Sequence, residues 1–261
     1  MTETSIVISN VTKRFPIKGN SDGVVALEDV SLTVGKSEFV ALLGPSGCGK
    51  STLLRLMASL EEPTNGIVSV NGENPNAMAK RHALGVAFQD HALLPWLSVR
   101  DNIALSFSLA NKSVDQNAIS ELIDLVGLSG FETARPGQLS GGMRQRVSIA
   151  RSLILSPDVL LLDEPFSALD AVTRRQMNIE LQRIWSQQLI TTVLVTHSVE
   201  EALFLADRIL VLSARPGRIV REVVVPFERP RDTTVMRSSE FHDLVDDLTD
   251  ALHPAEAPQD A

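Results

Sequence analysis

Short apolar runs and helix-spaced apolar positions alternate along most of this chain. The run Phe39-Val-Ala-Leu-Leu43 is closed by Gly44 and Pro45, which predicts a short buried strand. Leucines then recur at helical spacing through residues 51–60, so the local order is strand, glycine-rich loop, helix. Residues 98–155 predict mostly helix, with apolar positions three and four apart through 118–126 and 143–154. Strand runs return at 159–162, 192–196 and 208–212, separated by helical stretches at 171–188 and 199–206. Strands alternating with helices predict a parallel sheet with crossover helices. Near the N-terminus, β-branched stretches at 5–8 and 32–34 predict further strands. Beyond Arg221 the periodicity weakens. Pro226, Pro230, Pro254 and Pro258 punctuate this tail, one short helix is expected near 241–252, and residues 253–261 are expected to fray.

Composition narrows the class. Of 261 residues, 44% are hydrophobic and 21% charged, enough apolar material for a sizeable core and against a disordered chain. The net charge of −8 argues against a protein that grips nucleic-acid phosphates. A single cysteine, Cys48, excludes an internal disulfide and fits a reducing compartment. The N-terminus lacks a basic stretch followed by an apolar run of signal-peptide length. The aliphatic run at 159–162 is flanked by Asp158 and Asp163 and falls far short of the ~20 residues of a membrane span. The expectation is a soluble chain that works at a membrane only by docking onto something else.

Three motifs carry chemistry. The stretch Gly44, Pro45, Ser46, Gly47, Cys48, Gly49, Lys50, Ser51, followed by Thr52, is a complete phosphate-loop pattern. Its glycines let backbone N–H groups turn inward around an anion, and the following helix adds the positive end of its dipole. Lys50 is expected to reach the β- and γ-phosphates and the Ser51 hydroxyl to ligate Mg²⁺. The loop alone does not separate an ATPase from a GTPase or a small kinase. Second, the strand at 159–162 ends in Asp163 and Glu164, neighbours whose side chains leave the strand in different directions. Asp163 is placed to hold Mg²⁺, and Glu164 to polarise the attacking water as general base. Third, Leu139-Ser140-Gly141-Gly142-Met143 stands at a predicted helix start, where N–H groups, a hydroxyl and a dipole offer a second anion site. In isolation it reads more readily as a helix cap. One triphosphate cannot easily occupy both sites of one chain, so a second copy would present Ser140, Gly141 and Gly142 across an interface.

With these motifs in this order, the chain resembles the ATP-binding subunits of ABC transporters over roughly residues 5–220. The resemblance implies a P-loop NTPase core of the α/β class with a mostly parallel sheet, an N-terminal antiparallel β subdomain and an inserted α-helical subdomain. The ATPase domain would span 1–225, with the insertion at about 92–156, and 226–261 would form a tail. It implies roles for further residues. Gln89 matches a glutamine that touches Mg²⁺ and the attacking water. Asp170, in Ser167-Ala-Leu-Asp170, matches a loop that crosses the dimer interface. His197 matches a histidine that holds the γ-phosphate. The family usually stacks adenine on a tyrosine, but this chain has none; Phe15 stands in that place, with Val25 completing the apolar contact, although Phe15 as core packing is a fair rival. For Cys48 the bland reading, a small loop residue, outweighs a redox sensor.

The stretch from Phe88 through Pro95, Trp96 and Leu97 to Ile103, and the later Ser213-Ala-Arg-Pro216-Gly217-Arg218-Ile219, are similar to the nitrate, sulfonate and taurine importer branch. That implies an ATP- and Mg²⁺-dependent homodimer docked on integral-membrane permease subunits at the cytoplasmic face of a bacterial inner membrane. Through the permease it would serve a solute-binding protein, with no nucleic acid involved. Trp96 and Leu97 would suit a groove that receives a permease helix; burial within the helical subdomain is the competing reading. A DNA-associated or soluble ATPase of the same class, not coupled to transport, is the alternative, though the long heptad segments of the former are absent.

Overall fold

A computed structural model of the chain describes residues 3–17, 20–167 and 169–252; the segment expected to fray, 253–261, lies outside the described residues. The strands β1 (Thr4–Ile17), β2 (Asn20–Gly35) and β3 (Phe39–Leu43) lead into helix α1 (Lys50–Met57). The hairpin of β1 and β2 is joined by β4 (Asn65–Val70) in an antiparallel sheet of order β2-β1-β4. Helix α2 (Pro75–Lys80) and strand β5 (Leu84–Ala87) follow, and then the helices α3 (Val99–Leu109), α4 (Gln116–Leu125) and α5 (Gly141–Leu153). The chain closes with β6 (Val159–Asp163), α6 (Ala171–Gln188), β7 (Thr191–Thr196), α7 (Val199–Leu205), β8 (Arg208–Leu212), β9 (Ile219–Val224) and α8 (Ser239–Leu252). The main sheet has the order β5-β6-β7-β3-β8-β9 and is parallel except for β9, which runs antiparallel to β8.

Burial on both faces explains why the central strands read as unbroken apolar runs. In β3, Phe39, Ala41 and Leu43 pack on the face covered by α3 and α5–α8, while Val40 and Leu42 face the layer of α1 and the antiparallel sheet. In β6, Leu160 and Leu162 take the first face and Val159 and Leu161 the second. The same alternation puts Asp163 on the α1 side.

Helix starts follow local capping chemistry. Ser98, Asp115, Ser140, Asp170 and Ser198 accept a backbone N–H in the first turns of α3, α4, α5, α6 and α7. The segment 226–252 is anchored to the core at a few buried positions. Phe241 and Leu248 of α8 are buried with Val225. Arg231 is 4% exposed and donates to the carbonyls of Leu203, Phe204 and Ala206 at the C-terminal end of α7. Among the described residues no helix is long and apolar enough to cross a membrane.

Candidate nucleotide-binding site

The loop between β3 and α1 is shaped by glycines in conformations and contacts a side chain would forbid. Gly47 and Gly49 have φ of 75° and 108°. A Cβ on Gly49 would lie 2.8 Å from the carbonyl oxygen of Ala26 in β2, and one on Gly44 would lie 2.8 Å from Cys48 Sγ. Lys50, 4% exposed, turns its ammonium back over the loop and donates to the carbonyls of Gly44 and Pro45 at 2.7 and 3.0 Å. Ser51 Oγ donates to Asp163 Oδ1 at 2.8 Å, so β6 delivers its terminal carboxylate to the first turn of α1. Burial raises the Asp163 pKa, and the Ser51 hydrogen bond works in the opposite direction. A buried carboxylate beside a hydroxyl is a hard oxygen pair suited to a divalent cation, whose charge offsets that burial.

Glu164 follows with φ 45°, a left-handed backbone rare outside glycine and concentrated at functional sites. Its carboxylate meets His197, whereas that of Asp163 meets Ser51. His197 Nδ1 lies 3.2 Å from Glu164 Oε2, joining the ends of β6 and β7, which are adjacent in the sheet.

One cleft of about 360 Å³ gathers Phe15, Gly47, Gly49, Lys50, Ser51, Thr52 and Glu164. Phe15 is only partly buried, so its ring face is available, and Lys13 Nζ lies 4.9 Å from its centroid. Val25 is paired with Arg14 in the β1–β2 hairpin and does not line the cleft. Its neighbour Val24 does, together with Ala26, because side chains two apart share a strand face. Sequence reasoning also missed Ile17 and Arg215, both of which line this cleft. Cys48 is buried, and burial raises its thiol pKa, which leaves it a packed loop residue with little thiolate. A larger cavity, about 660 Å³ between α1, β4 and α2, holds none of these groups.

Ser140, Gly141, Gly142 and Asp170 stand together, but outside the cleft. A Cβ on Gly141 would lie 3.4 Å from Leu169 Cδ2, and one on Gly142 3.0 Å from Thr173 Cγ2. The N-termini of α5 and α6 therefore form one face. Asp170 accepts from the backbone N–H groups of Thr173 and Val172, which hold its carboxyl below the usual range. Gln89 is exposed just beyond β5 and also lies outside the cleft lining. Trp96 is 65% exposed, which decides against its burial in the helical subdomain.

A phosphate loop, a strand ending in two divergent carboxylates and a helical insertion between them define an ATP-binding cassette. Residues 27–167 match the profile of the ABC transporter family, and the chain belongs to that family; its enzymatic class is ATPase. It is 45% identical over 243 residues to an uncharacterized ABC transporter ATP-binding protein of Methanocaldococcus jannaschii, covering 92% of this chain and 89% of that one. It is 42% identical over 240 residues to the nitrate import ATP-binding protein NrtD of Synechococcus elongatus, covering 88% and 85%. The aliphatic sulfonates import ATP-binding protein SsuB of Bacillus subtilis is 43% identical over 230 residues, covering 88% of each chain. The dimeric post-hydrolysis structure of the ATP-binding cassette MJ0796 bound to ADP and Pi superposes with a TM-score of 0.75 at 30% identity, covering 85% of this chain and all of that one.

Proposed function

We propose that this chain is the ATP-hydrolysing subunit of an importer for a small anion or sulfonate-like solute, acting as a homodimer on the cytoplasmic face of the membrane. The observation that carries the hydrolytic reading is the hydrogen-bonded pair of Glu164 and His197 at 3.2 Å, at the rim of the cleft that holds Lys50 and Ser51. In this reading Lys50 and the loop N–H groups bind the β- and γ-phosphates, and Phe15 supports the base. Ser51 and Asp163 would hold Mg²⁺, which neutralises charge on the phosphates. Glu164 takes the proton of the attacking water, and His197 orients that carboxylate. Gln89 would join from the helical side.

Separation of the two anion sites supports the dimer. Ser140, Gly141 and Gly142 lie with Asp170 on a face outside the cleft of their own chain, so a second copy would supply them to complete each site. The dimeric cassette it resembles has this stoichiometry. The importer reading is supported by the nitrate and sulfonate relatives and by the exposed Trp96. A groove of about 290 Å³, lined by Leu84, Val86, Leu105, Leu109 and Leu155 together with His82 and Arg151, offers a mixed apolar and polar surface for a short permease helix. Co-purification of this subunit with a multi-span membrane partner checks that coupling. For hydrolysis, Glu164→Gln is expected to bind ATP, accumulate as a closed dimer and lose at least ~100-fold in kcat. Near-normal turnover in that variant refutes the general-base role.

A further inference from the structure

The hairpin turn between β8 and β9, residues 213–218, is not explained by the catalytic motifs, yet it touches both halves of the nucleotide cleft. Its shape is internally fixed. Ser213 N donates to Arg218 O at 2.9 Å, and Ser213 Oγ accepts from Arg218 N and donates to Pro216 O, each at 3.0 Å. On one side the turn is tied to β2: Gly217 N donates to Ala26 O at 2.9 Å and Glu28 N to Gly217 O at 3.0 Å. Arg218 also pairs with Glu28 at 2.7 Å. Ala26 belongs to the strand face that lines the base end of the cleft. On the other side the turn lies against the phosphate loop. A Cβ on Gly217 would lie 2.1 Å from the carbonyl oxygen of Cys48, so no larger residue fits there. Arg215 reaches over the rim, and its Nε and Nη2 donate to the Gly47 carbonyl at 3.1 and 3.0 Å.

The geometry points to Arg215 as a positioning residue of the nucleotide site: it fixes the Gly47 peptide, and with it the phosphate loop, against the base-binding strand. The peptide unit is planar and trans, so holding the Gly47 carbonyl also orients the Cys48 N–H on its other side, which donates to the Pro45 carbonyl at 3.4 Å and closes the turn of the loop. An anion nest depends on such orientations, because a carbonyl turned toward a phosphate repels it. Only a planar fork delivers two hydrogen bonds to one oxygen while its charge faces the cleft; the lysine ammonium is a point donor. Through Gly217 and Ala26 the same turn sets the distance between phosphate loop and base platform.

This inference rests on the nucleotide-site reading, and the test separates the two. Binding of fluorescent ATP and ADP analogues to the full chain, and steady-state ATP hydrolysis, are measured for wild type, Lys50→Ala, Arg215→Ala and Arg215→Lys. Arg215→Ala is expected to raise the dissociation constant of both nucleotides about tenfold, with the loss in hydrolysis falling on KM more than on kcat. Arg215→Lys keeps the charge and is expected to recover less than half of that loss on a logarithmic scale. Arg215 is exposed, so both variants are expected to keep the wild-type unfolding temperature. Affinity within twofold of wild type in Arg215→Ala overturns the inference, and so does full recovery by lysine, which would reduce Arg215 to a bare charge. If Lys50→Ala binds as wild type does, the nucleotide-site reading falls, and this inference with it.

Discussion

Replacing Glu201 with glutamine should make the protein more stable at alkaline pH and leave it unchanged in acid. Glu201 is 3% exposed on the first turn of α7, and its Oε1 has no hydrogen-bond partner. It shares a small cavity with Glu164, Arg174, Thr196 and His197. Burial pushes its pKa from 4.5 to about 7, more than the Thr196 hydroxyl and the Arg174 charge pull it down, while Glu164 adds to the rise. The folded state therefore holds a proton that the unfolded chain releases. Stability from this proton is complete below pH 4.5 and is lost as the pH rises to about 7. A shift of ~2.5 pH units corresponds to about 3 kcal/mol, accruing at about 1.4 kcal/mol per unit across that window and constant above it. Glutamine keeps the shape and hydrogen-bonding capacity of the neutral acid but does not titrate. Urea unfolding followed by tryptophan fluorescence, at several pH values from 4.5 to 8.5, reads the difference. With a slope of about 3 kcal/mol per molar, the variant's midpoint should exceed that of the wild type by about 1 M at pH 8, with no gap at the acid end. A gap that is the same at every pH refutes the buried neutral carboxyl.

Two further outcomes test how the C-terminal segment is built in. Arg231→Ala leaves the carbonyls of Leu203, Phe204 and Ala206 without their shared donor and should cost about 3 kcal/mol, lowering the melting temperature by about 6–12 °C; a calorimetric change under 2 °C contradicts this. Phe241→Ala should cost about 3–5 kcal/mol by opening a cavity beneath α8, whereas a residue on a detached tail would cost almost nothing by urea titration.

The parts of the fold that were legible are those where one physical rule acted alone. Strands buried on both faces gave the runs at β3 and β6, and the phosphate loop announced itself because three glycines and a lysine have few other reasons to stand at that spacing. Helix α6 has the bounds 171–188 expected from its helical pattern, and the structure adds that Asp170 caps its start. The β1–β2 hairpin was visible only as fragments, since register shifts at several points break its alternation. Those shifts also decide that Val24 rather than Val25 lines the cleft, a one-residue distinction that sequence alone does not carry. Strand β9 escaped notice because its alternate residues Val220 and Val224 are exposed apolar side chains. Arg231 was unreadable for a different reason: arginine is a surface residue by default, and only the packed structure shows the helix end that it satisfies.

What lies behind the Glu164–His197 pair gives the arrangement its coherence. Arg174 in α6 donates to the carbonyls of Phe166, Ser167 and Leu169, the loop that runs from Glu164 toward the face shared with Gly141 and Gly142. The same guanidinium acts electrostatically on Glu201, which in turn feels Glu164. Helix α7 carries Glu201 near its start, directly after His197, and Arg231 caps its last carbonyls from the C-terminal segment. Loop, histidine and Glu164 are thus linked through one polar layer whose innermost member, Glu201, is buried, where the low dielectric lets a small displacement change the field appreciably. A second copy pressing on Phe166, Ser167 and Leu169 would act on carbonyls that Arg174 already holds. On the proposed reading the phosphate loop would bind a triphosphate through its own backbone, while Glu164 and His197 are set by a layer that reaches the face proposed for the second copy.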